Sequence, residues 1–312
     1  MGLLAVVKTV GFVLMGLAWS VCFVTAVPFS QLRYVLLRAC KKPYSPVVDF
    51  VQKLLRLPYS FVVWSFANLC LGCMGITVRH VDEESEKNWR EARKKENSPH
   101  VVAFQHVCNA DPLVAGALFP EARFVMKAEL KVIVPIFYPA VASGFIDVDR
   151  NNPDSRAQCT TRMIDTVARY DDTLAVAPEG TRNRQNPLQL LPFKKGAFIV
   201  STQTGAPVIP MVHYYAERCW ADRAYSRIMP RQSAIAVKVL PAIRPKEGES
   251  VEDLQERVRA AMQAELDKGK PDESIVALTW RDRLRLVLFP ATFFAFYALV
   301  NAGIICRVHG SA

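Results

Sequence analysis

The sequence predicts an α/β fold: a mixed, mostly parallel sheet flanked by helices, with membrane-embedded helices at the amino end and a membrane helix at the carboxyl end. Three observations carry this. Short β-prone runs alternate with helix-prone ones from residue 76 to residue 240, the order that a parallel sheet with crossover helices requires. Uncharged stretches occupy Thr9–Val27 and Leu286–Cys306. A mean hydropathy of +0.12 coexists with an isoelectric point of about 9.3, as expected when membrane segments are joined to a basic soluble body. The 312 residues are 51% hydrophobic, too apolar for a disordered chain, and 14 Gly with 20 Pro exclude a collagenous one.

Thr9–Val27 has 19 residues, a helix of about 28 Å against a bilayer core of about 30 Å. Only Lys8 precedes it and no small-residue cleavage site follows, which favours a retained anchor over a signal peptide. Next come Arg33, Arg38, Lys41, Lys42, Lys53 and Arg56 against Asp49 alone, a loop that the positive-inside rule places in the cytosol. Arg281, Arg283 and Arg285, before Leu286–Cys306, place the body there as well. Both constraints are met if the uncharged stretch Tyr59–Val78 lies in the interface or re-enters instead of crossing. A buried helix hairpin is the alternative. The predicted organisation is therefore membrane-anchoring helices and a basic loop over 1–78, an α/β domain over 79–283, and a membrane helix with its tail over 284–312.

Within the body, strands are expected at Ile76–Val81, Val101–Phe104, Arg123–Met126, Phe145–Val148, Leu174–Ala177, Val208–His213 and Ala234–Leu240. Glu84–Glu96 is helix-prone. Asn152-Pro153 reads as N-cap and first residue of a helix reaching about Tyr170. Lys195–Thr204 reads as a helix stopped by Gly205-Ala206-Pro207. Ser250 and Asp253 form a capping pair before apolar positions at Val251, Leu254, Val258, Met262 and Leu266.

The eight cysteines are scattered, without disulfide-scaffold density, which points to a reducing, cytosol-facing compartment. Cys70 and Cys73 make a lone CxxC inside an apolar run, with no partner pair for zinc. The formal charge of +10 sits beside apolar stretches, not in basic blocks interleaved with aromatics. That distribution suits anionic membrane lipids and not nucleic acid.

Two segments carry chemistry. In Gln105-His106-Val107-Cys108-Asn109-Ala110-Asp111-Pro112, His106 leaves a strand end while Asp111-Pro112 reads as N-cap and N1 of the next helix. A short turn can bring the carboxylate to the imidazole, fixing its tautomer and supporting an imidazolium. A helix would not, because a five-residue step rotates the two about 140° apart. Taken alone, Asp111 could equally be a plain cap. In Ala177-Pro178-Glu179-Gly180-Thr181-Arg182, a Gly beside a strand end allows backbone N–H groups close to an anion. Arg182 offers a fork for phosphate oxygens, and Lys194 or Lys195 a point charge.

Together these segments resemble the glycerolipid acyltransferase family, that of 1-acylglycerol-3-phosphate (lysophosphatidic acid) acyltransferase. Its blocks occur in order: His106 with Asp111, then Gly144-Phe145-Ile146-Asp147-Val148-Asp149-Arg150, then Glu179-Gly180-Thr181-Arg182, then Val208-Ile209-Pro210. The chain departs from the family at Gln105, where Asn is common, at Cys108 and Asn109, where Ser or Thr is common, and at Asp147, usually apolar.

The resemblance implies acyl transfer from acyl-CoA, as co-substrate, to a lysophospholipid hydroxyl. His106 would be the general base and Asp111 its orienting partner. Backbone N–H groups near Gly180 would face the oxyanion. Arg150, Glu179, Gly180, Thr181, Arg182, Lys194 and Pro210 would contribute to substrate binding, with no metal and no resident cofactor. Implied partners are the two substrates and membrane lipids. The implied location is the endoplasmic reticulum membrane with a cytosol-facing site, a bacterial inner membrane being the alternative. Other acceptors, a Cys108-dependent hydrolase and a non-catalytic membrane adaptor remain as rival expectations.

Overall fold

The structure is a computed structural model. It describes residues 24–284 apart from 41, 95–97, 131–136, 184 and 220–232. The anchors expected at Thr9–Val27 and Leu286–Cys306 lie outside the described residues, except for 24–27.

The strands are β1 (Ile76–His80), β2 (Val101–Phe104), β3 (Arg123–Lys127), β4 (Ile146–Val148), β5 (Leu174–Val176), β6 (Val208–Tyr214) and β7 (Ser233–Val239). Each sequence-expected strand is present, to within a residue at either end. They join in the order β1-β7-β6-β2-β5-β3-β4. Every pairing is parallel except β6 with β7. The helices are α1 (24–39), α2 (Pro46–Met74), α3 (Glu83–Ala92), α4 (Asp111–Leu118), α5 (Phe137–Ala142), α6 (Pro153–Ala168), α7 (Gly196–Thr204), α8 (Ala216–Cys219) and α9 (Val251–Leu266).

Both faces of the sheet are covered, so the central strands are apolar throughout yet divide their side chains by the two-residue period. Val102, Phe104, Ile209, Met211 and Val237 enter a core shared with α2 and α4. Val101, Ala103, Val208, Val212 and Ala236 enter a second core shared with α6, α7 and α9. The expected caps are in place: Asn152 accepts the Asp154 and Ser155 amides, and Ser250 accepts the Asp253 amide. The start of α4 differs from expectation. Asp111 is its first helical residue, Ala110 caps it without a side-chain bond, and the Asp111 carboxylate turns back toward the preceding turn.

The stretch Tyr59–Val78 is the second half of α2, which ends at Gly75 and passes directly into β1, a strand that straddles residue 78. One face of α2 packs on the body. Tyr59 is fully buried and donates to the Ala122 carbonyl at 2.6 Å. Gly116 of α4 lets the two helices approach, since a Cβ there would already lie 3.4 Å from Ala67 and Val63. The opposite face exposes Phe50, Leu54, Leu57, Phe61 and Trp64, and α1 adds Phe29, Leu32 and Val35. Among the described residues, Pro46–Gly72 has the length and composition to cross a membrane, with 44% of its apolar 18-residue stretch buried inside the protein.

The basic loop divides: Arg33 and Arg56 turn inward, while Arg38, Lys42 and Lys53 make their contacts at the surface. Arg33 donates to Asp172 at 2.8 Å and to Gln52, and Arg56 lies 3.4 Å from the other Asp172 oxygen. Arg38 donates to the Tyr170 hydroxyl, Lys42 to the Ala168 carbonyl and Asp171, and Lys53 pairs with Asp49. Arg123, at the start of β3, also donates to Asp172, at 3.0 Å, and to the Ser143 carbonyl. Asp172 is wholly buried. Burial would raise its carboxyl, but Arg123, Arg33 and Arg56 hold it below the usual range. The loop is thus a clamp fastening α1 and α2 to the amino-terminal edge of the sheet.

Candidate active site

The candidate residues gather at the opposite edge, where the parallel strands end. In open α/β sheets that edge forms the binding crevice, because the loops leaving the strands converge there. β2 delivers Gln105 and His106, β4 delivers Asp149 and Arg150, and β5 delivers Glu179 to Arg182.

His106 Nδ1 lies 3.0 Å from Asp111 Oδ2. The same oxygen accepts the amides of Val107 at 2.6 Å and Cys108 at 2.7 Å, so the turn closes around the carboxylate. This is why Asp111 has left the capping position. Its side chain has no exposure, whereas that of His106 retains 19%. Burial alone would push the Asp111 carboxyl up, but hydrogen bonds from His106 and His213 hold it well below the ordinary carboxylate range. A carboxylate only accepts, so His106 presents Nδ1–H to it and leaves the Nε2 lone pair as the available base.

The backbone of His106 is held on both sides. Its N–H donates to Glu179 Oε1 at 2.8 Å, and its carbonyl accepts the Asn183 amide at 2.8 Å. Glu179 Oε2 accepts the Leu191 amide at 2.9 Å. Both oxygens of Glu179 therefore serve the backbone of the site. Burial pushes its carboxyl up to about 7, against the lowering effect of those two amides.

Gly180 has φ +68°, the left-handed region that favours glycine, and the Lys194 stem packs over it. Its N–H is spent on the Ala177 carbonyl at 3.0 Å, so among the backbone groups near Gly180 this amide is already committed within the turn. The neighbouring Thr181 amide makes no hydrogen bond among the described residues. Arg150 caps the Gly180 carbonyl, and Arg182 donates to Asn109 inside the His106–Asp111 turn. Arg182 is thereby tied to the imidazole's own loop and Arg150 to the loop after β5. Lys194 is exposed beside them, while Lys195 pairs with Glu252 at 2.5 Å. Pro210 is buried within β6 opposite Ala103, away from the crevice mouth.

The departures noted in the sequence acquire causes. Gln105 is fully buried, donating to the Pro187 carbonyl at 2.6 Å and accepting the His213 amide at 3.1 Å. Asp147 pairs with Arg162 at 2.8 Å. The Cys108 sulfur lies 3.4 Å from Asp111 Oδ1, and burial together with the Asp111 charge pushes its thiol up. A buried thiol facing a carboxylate is a poor nucleophile, which argues against the cysteine hydrolase.

Two residues escaped the sequence reading. Lys127 ends β3 with an exposed side chain at the same edge, and its position at a strand terminus was the available signal. His213 lies in the wholly buried β6, with Nδ1 3.1 Å from Asp111 Oδ1. An imidazole in an otherwise apolar strand was the sign that a buried partner exists. Among the described residues no group of three or more His, Cys, Asp or Glu is arranged to hold a metal ion.

Residues 80–214 match the family model described as Acyltransferase, in agreement with the resemblance read from the sequence. The 1-acyl-sn-glycerol-3-phosphate acyltransferase of Saccharomyces cerevisiae is 30% identical over 140 residues, covering 45% of this chain and 43% of that one. The human 1-acyl-sn-glycerol-3-phosphate acyltransferase alpha is 29% identical over 172 residues, covering 53% and 58%. The chain spans about half the length of the curated relatives it matches. The crystal structure of the 1-acyl-sn-glycerophosphate acyltransferase PlsC from Thermotoga maritima superposes with a TM-score of 0.52 at 17% identity, covering 82% of this chain and 98% of that one. That likeness establishes a common fold.

Proposed function

We propose, on the premise that residues 80–214 are a segment of the acyltransferase family, that this chain transfers an acyl group from a CoA thioester to the free hydroxyl of 1-acylglycerol 3-phosphate, making phosphatidic acid. The observation that carries the reading is the 3.0 Å contact between His106 and a carboxylate sealed from solvent, with Arg150 and Arg182 bonded into the adjoining loops. A non-catalytic adaptor has no use for a partly exposed imidazole aimed outward from a buried charge.

In this mechanism His106 Nε2 takes the hydroxyl proton as the oxygen attacks the thioester carbonyl. Asp111 stabilises the imidazolium so formed, as a fixed charge that needs no reorganisation. The tetrahedral oxyanion requires an N–H donor, and the Thr181 amide at the β5 end bonds to none of the described residues. Collapse expels the CoA thiolate, which takes the proton back from His106. The products are the ester and free CoA thiol, without an acyl-enzyme. Arg150 and Arg182 would exchange neutral carbonyl acceptors for phosphate oxygens, a gain because charge-assisted hydrogen bonds are stronger. Lys194 would add a point charge. The exposed apolar faces of α1 and α2 would lie in the lipid interface, with the crevice toward the cytosol at the endoplasmic reticulum.

The test is a labelled acyl-CoA assay against a panel of lysophosphatidate, lysophosphatidylcholine and glycerol 3-phosphate. Lysophosphatidate should be the preferred acceptor, and His106→Ala should lower the rate by about 10²–10⁴. Normal turnover by that variant would overturn the assignment. Absence of turnover with every acceptor would restore the adaptor reading.

A further inference from the structure

We propose that His213 is a positioning residue for the acyl transfer, holding the second oxygen of Asp111 so that the first stays aimed at His106; this rests on the function proposed above. Asp111 divides its donors cleanly between its two oxygens. Oδ2 takes His106 and two backbone amides, while Oδ1 takes His213 Nδ1 at 3.1 Å and the weak Cys108 thiol at 3.4 Å. Both Asp111 and His213 are sealed from bulk solvent, with no side-chain exposure. Without His213 the buried Oδ1 would keep a thiol as its sole donor among the described residues. The carboxylate could then recover only by rotating, which drags Oδ2 from His106.

The imidazole is itself over-determined. Phe104 stacks on it at 6.4 Å with the planes 26° apart, and Gln105, the residue before His106, accepts its backbone N–H. Among the described residues His213 Nε2 is buried without a hydrogen-bond partner, so the ring's hydrogen bond there is the one to Asp111. An apolar side chain would fill that strand position without leaving a buried nitrogen unsatisfied, so the histidine is there for the bond it makes. One carboxylate thus carries two imidazoles, one outward and reactive, one inward and fixed.

The titratable groups around the pair are His213 on β6, Cys108 in the turn, Cys219 on α8, and Glu179 and Arg182 from the β5–α7 loop. His213→Phe keeps the stacked shape and removes the donor. His213→Asn places an amide N–H near the Nδ1 position and restores it. In membranes or detergent, His213→Phe should lower kcat by about 10- to 100-fold with KM changed less than about threefold, and His213→Asn should recover most of the rate. A second readout needs no substrate: in protein 15N-labelled at histidine, the low-field Nδ1 proton resonance of His106 that marks its bond to Asp111, assigned by its loss in His106→Ala. In His213→Phe the carboxylate turns and that resonance should be lost, while His213→Asn should keep it. If the Phe variant does not accumulate, His213→Leu takes its place. Wild-type rate and an intact resonance without the donor, or an Asn variant as impaired as the Phe variant, would overturn the proposal. A wild-type protein with no acyl transfer but a donor-dependent resonance would reject the function and keep the geometry.

Discussion

Asp172→Asn removes the carboxylate shared by Arg33, Arg123 and Arg56, and leaves three guanidinium groups facing one another in the interior. The ion pairs it breaks measure 2.8, 3.0 and 3.4 Å, and Arg33, Arg123 and Asp172 have no side-chain exposure. Breaking a buried charge network by deleting one partner costs about 3–5 kcal/mol, because the remaining charges stay desolvated. For a domain of this size each kcal/mol moves the unfolding midpoint by about 2–4 °C, so the expected fall is roughly 6–20 °C. Denaturant or thermal unfolding in detergent measures it, with acyl transfer followed at low temperature. The clamp lies at the amino-terminal edge of the sheet and His106 at the carboxyl-terminal edge, so the rate per folded molecule should change less than about threefold. A destabilisation below about 1 kcal/mol would refute the reasoning, since it would mean that these arginines are solvated or turned to the membrane.

Two further outcomes follow from local geometry. Between pH 4.5 and about 7 folded Glu179 binds more protons than the unfolded chain, so its stabilising contribution is complete below about 4.5 and fades as pH rises through 7. At about 1.36 kcal/mol per unit this is a decline of up to about 3 kcal/mol, which Glu179→Gln should abolish; equal pH slopes for both proteins in unfolding titrations would count against it. Gly144 has φ +117°, and a Cβ there would overlap the Tyr34 hydroxyl and lie 3.2 Å from Arg123 Cδ. Gly144→Ala should therefore cost about 2 kcal/mol or more, and less in a Tyr34→Phe background; strict additivity of the two substitutions in denaturant unfolding would show that the hydroxyl is not the obstacle.

Much of the fold was legible because its signals are local. β-prone runs bounded by turn residues, and caps such as Asn152-Pro153 and Ser250, act over a few residues, so strand ends could be placed from the string alone. The pairing of His106 with Asp111 was legible for the same reason: a strand end, a short turn and a helix start leave little freedom. The role of Glu179 was not. Its partners are backbone amides at positions 106 and 191, brought to it by strand pairing and loop closure that no spacing rule encodes.

By itself the sequence determined the α/β order, the basic and apolar character of the amino-terminal region, and which short motifs meet at the strand ends, since hydrophobic period and turn chemistry are properties of neighbouring residues. Only the tertiary structure decided where the charges go. Arg33 and Arg56, which read as a membrane-facing patch, turn inward because Asp172, more than a hundred residues away, offers a buried counter-charge. His213, read as the end of an apolar strand, becomes the second partner of Asp111 because β6 pairs with β2 in a register that sets its ring beside that carboxylate.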